Sequence, residues 1–331
     1  MSDPGTPARP GSSQDATELY PAFAARPRAS AVVGATFIAF SGIFFRYSGV
    51  SPTTATVFRC GLALPVLLGL MWYEDRRLGG RARRSRTLAL AAGVFFAFDL
   101  VLWMNAVEQV GAGLATVLAN MQVVVVALVG WALLGERPSG RTLVAIPIVA
   151  AGAACISGVF EQGAYGAAPA LGVIFGLGAA VAYSGYLLLI RRSNPSRRVF
   201  GPLFDASLAT AVTAGVIGLV IGDLVLTPTW TAVGWLLAVS LTSQVAGYGL
   251  INVALPRLPA AVTSLLLLVQ PVVTVVAAAI LLGEAPSPLQ LGGVGLVLGG
   301  LLVATAPFGR MRGAVVARRE GSVTEASIGG E

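Results

Sequence analysis

The chain has 331 residues, 56% of them hydrophobic and only 11% charged, and its mean hydropathy is +0.81. Soluble domains carry about 25% charged residues, so this composition belongs to a polytopic membrane protein. The net charge of +7 and pI near 10.1 come from arginines in short loops between apolar runs, where orientation signals sit, and this argues against a nucleic-acid partner.

The stretch to about Arg28 is rich in Pro, Gly, Ser, Ala and charge and has no apolar core of its own, so it is not a signal peptide. Residues 1–29 are expected to be a disordered cytoplasmic tail, and the helix from Ser30 an uncleaved signal-anchor. A spanning helix needs roughly 20 apolar residues. Ten segments meet that need: 30–48, 52–72, 87–107, 113–134, 141–159, 169–190, 200–222, 232–254, 259–282 and 288–306. Most linkers are a few residues long, which makes consecutive helices antiparallel neighbours. The polar stretch 307–331 is expected to be a second disordered tail.

With the N-terminus in the cytoplasm, every arginine except Arg46 and Arg59 falls on the cytoplasmic side, while the external loops hold Glu108, Glu161, Asp223 and Glu284. Both termini are therefore expected to be cytoplasmic. Cys60 and Cys155 lie inside apolar segments, far apart, and read as small core residues rather than a disulfide or metal pair.

The chain also repeats itself. Leu133 to Ser139 reads Leu-Leu-Gly-Glu-Arg-Pro-Ser, and 148 residues later Leu281 to Ser287 reads Leu-Leu-Gly-Glu-Ala-Pro-Ser. The register holds through Gln122/Gln270, Ala106/Ala254 and Gly152/Gly300. The repeats would be 30–159 and 169–306, joined by an external linker at 160–168. Five helices per repeat is an odd number, so the second copy inserts upside down. Two matched halves of opposite orientation can open alternately to each side. Duplication alone would also suit a channel, but no stretch resembling a selectivity filter is evident.

Ten helices in two halves of five, each fourth helix ending in Leu-Gly-Glu with a proline shortly after, resemble the drug/metabolite transporter superfamily, specifically its EamA branch. Phe58-Arg59 in the second helix, Gln270-Pro271 in the ninth and the Gly-rich tenth helix, Gly292 to Gly300, match as well. The resemblance covers about residues 30 to 306. One departure is visible: Val123 stands where the second copy has Pro271, so a proline-induced break is supported in one half alone. The resemblance implies a secondary transporter of small organic metabolites in the plasma (inner) membrane, exporting amino acids or related compounds. Efflux of drugs or toxic compounds is the alternative, with a channel or a non-transporting protein further behind. No ATP-binding motif exists, so uphill transport must draw on an ion gradient or exchange.

Ionisable residues inside the membrane are costly and each is a functional candidate. Asp99 and Arg59 lie eight and seven residues from the outer ends of the third and second helices, roughly 10–12 Å below the external surface of the hydrocarbon core. In one reading Asp99 faces a central cavity and takes a substrate ammonium or a coupling proton. In the other, Arg59 and Asp99 form a structural clasp, or Arg59 snorkels outward. Asp205, near the inner end of the seventh helix, is either part of an inner gate or a hydrated helix-end residue.

The polar uncharged candidates are Trp103, Asn105, Asn120 and Gln122 in the first half, and Gln244, Tyr248, Asn252 and Gln270 in the second. The resemblance adds the first and sixth helices, with Ser41, Tyr183, Ser184 and Tyr186. The expected substrate contacts are Ser41, Asp99, Trp103, Asn120, Gln122, Tyr183, Gln244, Tyr248, Asn252 and Gln270. The competing reading is interhelical hydrogen bonding, at about 0.6 kcal/mol per contact. Trp103 could also belong to an interfacial belt.

Gly172/Gly176, Gly218/Gly222 and Gly295/Gly299 are expected to allow close helix packing. Gly135 and Gly283 should end their helices, with Glu136 and Glu284 bonding neighbouring turns. The chain has no histidine or lysine, which removes Ser–His, zinc and phosphate-loop chemistry. An aspartyl pair fails because Asp99 and Asp205 differ in depth. A non-enzyme without metal or cofactor is expected, its partners a small molecule, the bilayer and a coupling proton.

Overall fold

A computed structural model describes residues 19–135, 138–194, 198–254, 257–258 and 266–305. Among them there is helix and no strand. Eight helices are long and apolar enough to cross a membrane. They are α1 (Pro27–Ser48), α2 (Pro52–Leu78), α3 (Arg83–Val110), α4 (Ala112–Val129, helical on to Leu134), α6 (Pro169–Ser193), α7 (Phe200–Ile221), α8 (Trp230–Ala254) and α10 (Pro288–Thr305). Two apolar helices are shorter: α5 (Gly140–Ile156) and α9 (Val269–Leu282). The expected start of the ninth segment, 259–265, lies outside the described residues, as do Glu136, Arg137 and the tails 1–18 and 306–331.

Local chemistry sets the ends. Ser51, Ser139 and Thr229 cap α2, α5 and α8 by accepting from the backbone N–H three residues on. Gly135 and Gly283 stop α4 and α9 with φ of 69° and 66°, a left-handed conformation that glycine adopts without penalty. Two expected boundaries move. Helix α1 starts at Pro27, and residues Pro21–Ala24 of the expected tail are helical. Tyr20 anchors that turn, donating to Glu74 Oε1 at 3.3 Å and setting its ring edge-on to Phe200. The arginine-rich stretch after the second span is largely helical too, leaving 79–82 as the connection. There Arg76 and Arg77 lie over the rings of Trp72 and Tyr73, so their stems pack while the charge stays at the rim.

Helix α6 packs chiefly on α3, α10 on α5, α7 on α2 and α3, α9 on α4 and α1, and α8 on α1. Exchanging the two halves by the 148-residue register turns the α3–α6 contact into α8–α1 and returns α2–α7, α4–α9 and α5–α10 to themselves. The α5–α10 seam corrects the expected glycine pattern. A Cβ on Gly152 would sit 2.7 Å from the Gly293 carbonyl oxygen, and one on Gly293 equally close to that of Gly152, whereas Gly295 and Gly299 have nothing within 4 Å. The buried face of α10 runs through Gly293, Val297 and Gly300, so Gly295 and Gly299 point elsewhere. Gly172, Gly176 and Gly218 do sit at close approaches, while Gly222 ends α7 in open space. Gly152→Leu is expected to destabilise the purified protein by about 1–3 kcal/mol through overpacking, and Gly295→Leu to leave the thermal midpoint unmoved. Equal midpoints for the two variants would put the seam elsewhere.

Candidate functional site

Both fourth helices of the halves break at the same place. Asn120 has φ −67° and ψ −11°, and its register mate Leu268 has φ −68° and ψ −11°. The break is thus present in the first half without a proline, contrary to the expectation drawn from Val123. In α4 the turn tightens instead, with Met121 N–H bonding Leu118 and Val124 N–H bonding Met121, and Asn120 Nδ2 donates to the Thr116 carbonyl at 2.8 Å. Gln122 and Gln270 follow directly after the two breaks. Helix α8 has an irregularity of its own, a π-helical stretch at Ser240–Gly247. It passes close to α1, where a Cβ on Gly247 would meet Ile38 at 2.7 Å.

These devices surround one cavity of about 680 Å³. Ser41, Asp99, Trp103, Asn120, Gln122, Tyr183, Tyr248, Asn252 and Gln270 all line it, as does Arg59. Gln244 does not. It is fully buried behind the wall, accepting from Arg59 Nε at 3.1 Å and donating to Ser207 Oγ at 2.9 Å. Asn105 and Ser184 also stay off the cavity and bond carbonyls of their own helices, Val101 and Ala180. Trp103 is buried in the wall rather than placed in an interfacial belt.

The Arg59–Asp99 clasp is not formed. Arg59 donates from Nε to Gln244 and from Nη2 to Ser243 Oγ at 3.0 Å. Among the described residues the Asp99 carboxylate has no hydrogen bond or ion pair, and the side-chain amides of Gln122, Asn252 and Gln270 have no hydrogen bond. Ser41 spends its donor on Ile38 and Asn120 one of its two amide N–H groups on Thr116, which leaves both side-chain oxygens as acceptors. Tyr183, Tyr186 and Tyr248 complete the wall with Phe96 buried behind them: Phe96 stacks on Tyr186 with centroids 4.6 Å apart and meets Tyr248 edge-on at 5.7 Å, and Tyr183 lies 5.2 Å from Tyr186.

Asp205 belongs to a different structure. It is 1% exposed and absent from the cavity wall. Its Oδ2 is 2.5 Å from Arg81 Nη1, and Arg86 approaches Oδ1 at 4.0 Å. It is therefore not a hydrated helix-end residue, because the 79–82 connection folds Arg81 over the start of α7. Arg81 also reaches Asp75 at 3.4 Å, and Arg198 bonds Asp75 and the carbonyls of Leu78 and Gly79. Glu74 closes this end by accepting from the N–H groups of Val199, Phe200 and Gly201. Arg191, Asn194 and Arg198 line the cavity at this end, and Arg191 is exposed. Sequence reasoning used these arginines as orientation markers and missed them as lining residues.

The opposite end is latched. Glu284 takes the N–H groups of Ala112 at 2.6 Å and Gly113 at 3.0 Å, so it caps α4 in the other half rather than bracing its own hairpin. Burial raises its carboxyl above the ordinary value, and the two backbone donors pull it partly back. Thr53 Oγ1 donates to Asp223 Oδ1 at 2.5 Å, and Gln290 bridges the backbone of Tyr165, Ser287 and Ile156. Among the described residues no group of acids, cysteines or histidines could hold a metal ion.

The chain is 28% identical over 223 residues to the uncharacterized transporter YwfM of Bacillus subtilis (strain 168), a match covering 66% of this chain and 73% of that protein. A crystal structure of a protein superimposes with a TM-score of 0.56 at 17% identity, over 85% of this chain and 96% of that one, which speaks to the fold alone. The EamA-like transporter family matches twice, at residues 29–158 and 170–306, one match on each side of the 160–168 linker. The chain thus belongs to the EamA-like transporter family of the drug/metabolite transporter superfamily, as a multi-pass membrane transporter of small molecules.

Proposed function

We propose that the chain exports amino acids or related small metabolites across the plasma (inner) membrane by alternating access, exchanging them for protons at Asp99. The observation that carries this is the set of polar groups without a hydrogen bond or ion pair, Asp99, Gln122, Asn252 and Gln270, converging from both halves on one cavity. Polar groups left without partners in a membrane interior are costly unless a ligand or water satisfies them. Ten helices in two inverted five-helix repeats supply the moving parts. The equal dihedrals at Asn120 and Leu268 and the helix contacts that map onto themselves under the register support that frame. The positive-inside bias supports a cytoplasmic side for both termini and for the arginine-lined end of the cavity, and with it loading from inside. The aromatic wall of Tyr183, Tyr186 and Tyr248, backed by Phe96, favours a second reading, efflux of larger apolar compounds.

Counterflow tests the carrier mechanism. Proteoliposomes preloaded with unlabelled amino acids should transiently accumulate external labelled amino acid, with a rate that saturates. Saturable counterflow of hydrophobic drugs with none of amino acids would select the second reading. A linear flux without counterflow would mean a channel and overturn the proposal.

A further inference from the structure

Two formal charges sit deep in the cavity wall, and the fold keeps them from pairing. Asp99 is 7% exposed and Arg59 1%. Each is costly to bury alone, and joining them would be the direct remedy. Instead the π-helical stretch of α8 presents two consecutive residues, Ser243 and Gln244, to the guanidinium. A π turn carries an extra residue relative to an α turn, and such insertions recur at functional sites. Both holders are neutral, so they satisfy two donors without cancelling the charge. Gln244 is itself pinned by Ser207, which fixes the direction of its grip. Tyr183, Tyr186 and Tyr248 line the same cavity within electrostatic reach of Asp99.

We infer that Arg59 and Asp99 are the two poles of a split-charge subsite for a zwitterion, Arg59 taking its carboxylate and Asp99 its ammonium, with Ser243 and Gln244 holding the poles apart. The inference rests on the reading of the chain as a small-molecule carrier loaded through this cavity. A ligand with an ammonium alone leaves Arg59 without a counter-charge, and one with a carboxylate alone leaves Asp99 so. A ligand bearing both neutralises both, which turns the cost of two buried ions into selectivity.

The test uses the full chain in proteoliposomes and saturable exchange of matched probes. These are the twenty standard amino acids, their amides and N-acetyl derivatives, 2-phenylethylamine and 3-phenylpropionate. At least one amino acid should exchange, and its amide and N-acetyl forms, each lacking one charge, should do so about 10- to 100-fold less well. Arg59→Gln should lower zwitterion exchange by a similar factor while narrowing its advantage over 2-phenylethylamine. Asp99→Asn should narrow the advantage over 3-phenylpropionate instead. A merely structural role would depress all probes together. Gln244→Glu keeps the arginine but gives it an internal carboxylate, and it should reproduce the Arg59→Gln pattern even where that variant fails to fold. Exchange of either singly charged probe at least as well as every amino acid overturns the subsite and leaves the carrier reading standing. So does amino-acid exchange that Gln244→Glu and Asp99→Asn leave unchanged. Absence of saturable exchange for every probe class in vesicles of folded protein sinks both.

Discussion

Replacing Asp99 by Asn is expected to uncouple the protein from the pH gradient. Asp99 is 7% exposed, carries no protein hydrogen bond among the described residues, and lines the cavity. A carboxylate so placed can hold a proton in one orientation and give it up as the cavity turns to the other side. With one proton exchanged per substrate, a gradient of one pH unit supports about a tenfold concentration ratio, or 1.4 kcal/mol. The amide keeps the shape and loses the proton site. Proteoliposomes containing Asp99→Asn should therefore equilibrate substrate slowly and accumulate none, whatever gradient is imposed. A variant that still builds a tenfold ratio would move coupling to another group.

The second large effect concerns stability rather than transport. Arg81→Met should destabilise the protein by about 3–5 kcal/mol, because it leaves the Asp205 carboxylate buried without its partner. The two side chains are 6% and 2% exposed, and the other arginine near Asp205, Arg86, stands 4.0 Å away with 58% of its side chain in the open. Arg86 is a weak substitute. Asp75 loses less, since it is 29% exposed and keeps Arg198. The double variant Arg81→Met, Asp205→Leu should recover most of the loss, because apolar replacement of both members of a buried pair is often neutral. Thermal unfolding in detergent reads both. A single variant within about 1 kcal/mol of the parent, or a double variant as unstable as the single, would remove the pair from the stability argument.

Much of the frame was legible because membrane physics writes it locally. Span length, the glycines at 135 and 283 and the Gln122/Gln270 register are properties of short stretches, and the first pass along the chain finds them. What it missed lies in which helix faces which. The Asp205–Arg81 pair joins residues 124 apart and the Glu284 cap residues 172 apart, and no local pattern announces either. The glycines that meet, Gly152 and Gly293, were passed over for Gly295 and Gly299, whose four-residue spacing looks like a motif but whose face is empty. Ser243 was missed for a related reason. It reaches Arg59 through a π turn, and helical-wheel reasoning assumes 3.6 residues per turn throughout.

The Glu284 cap also bears on how the chain is made. Helix α4 begins at Ala112, and two of its first free N–H groups find their acceptor in a side chain synthesised 172 residues later. Until residue 284 has left the ribosome, the start of α4 lacks the acceptor for these N–H groups. Its insertion and its completion are then separate events in time. The half that emerges first waits for the second to finish it, which ties the two family-matched halves together during biogenesis.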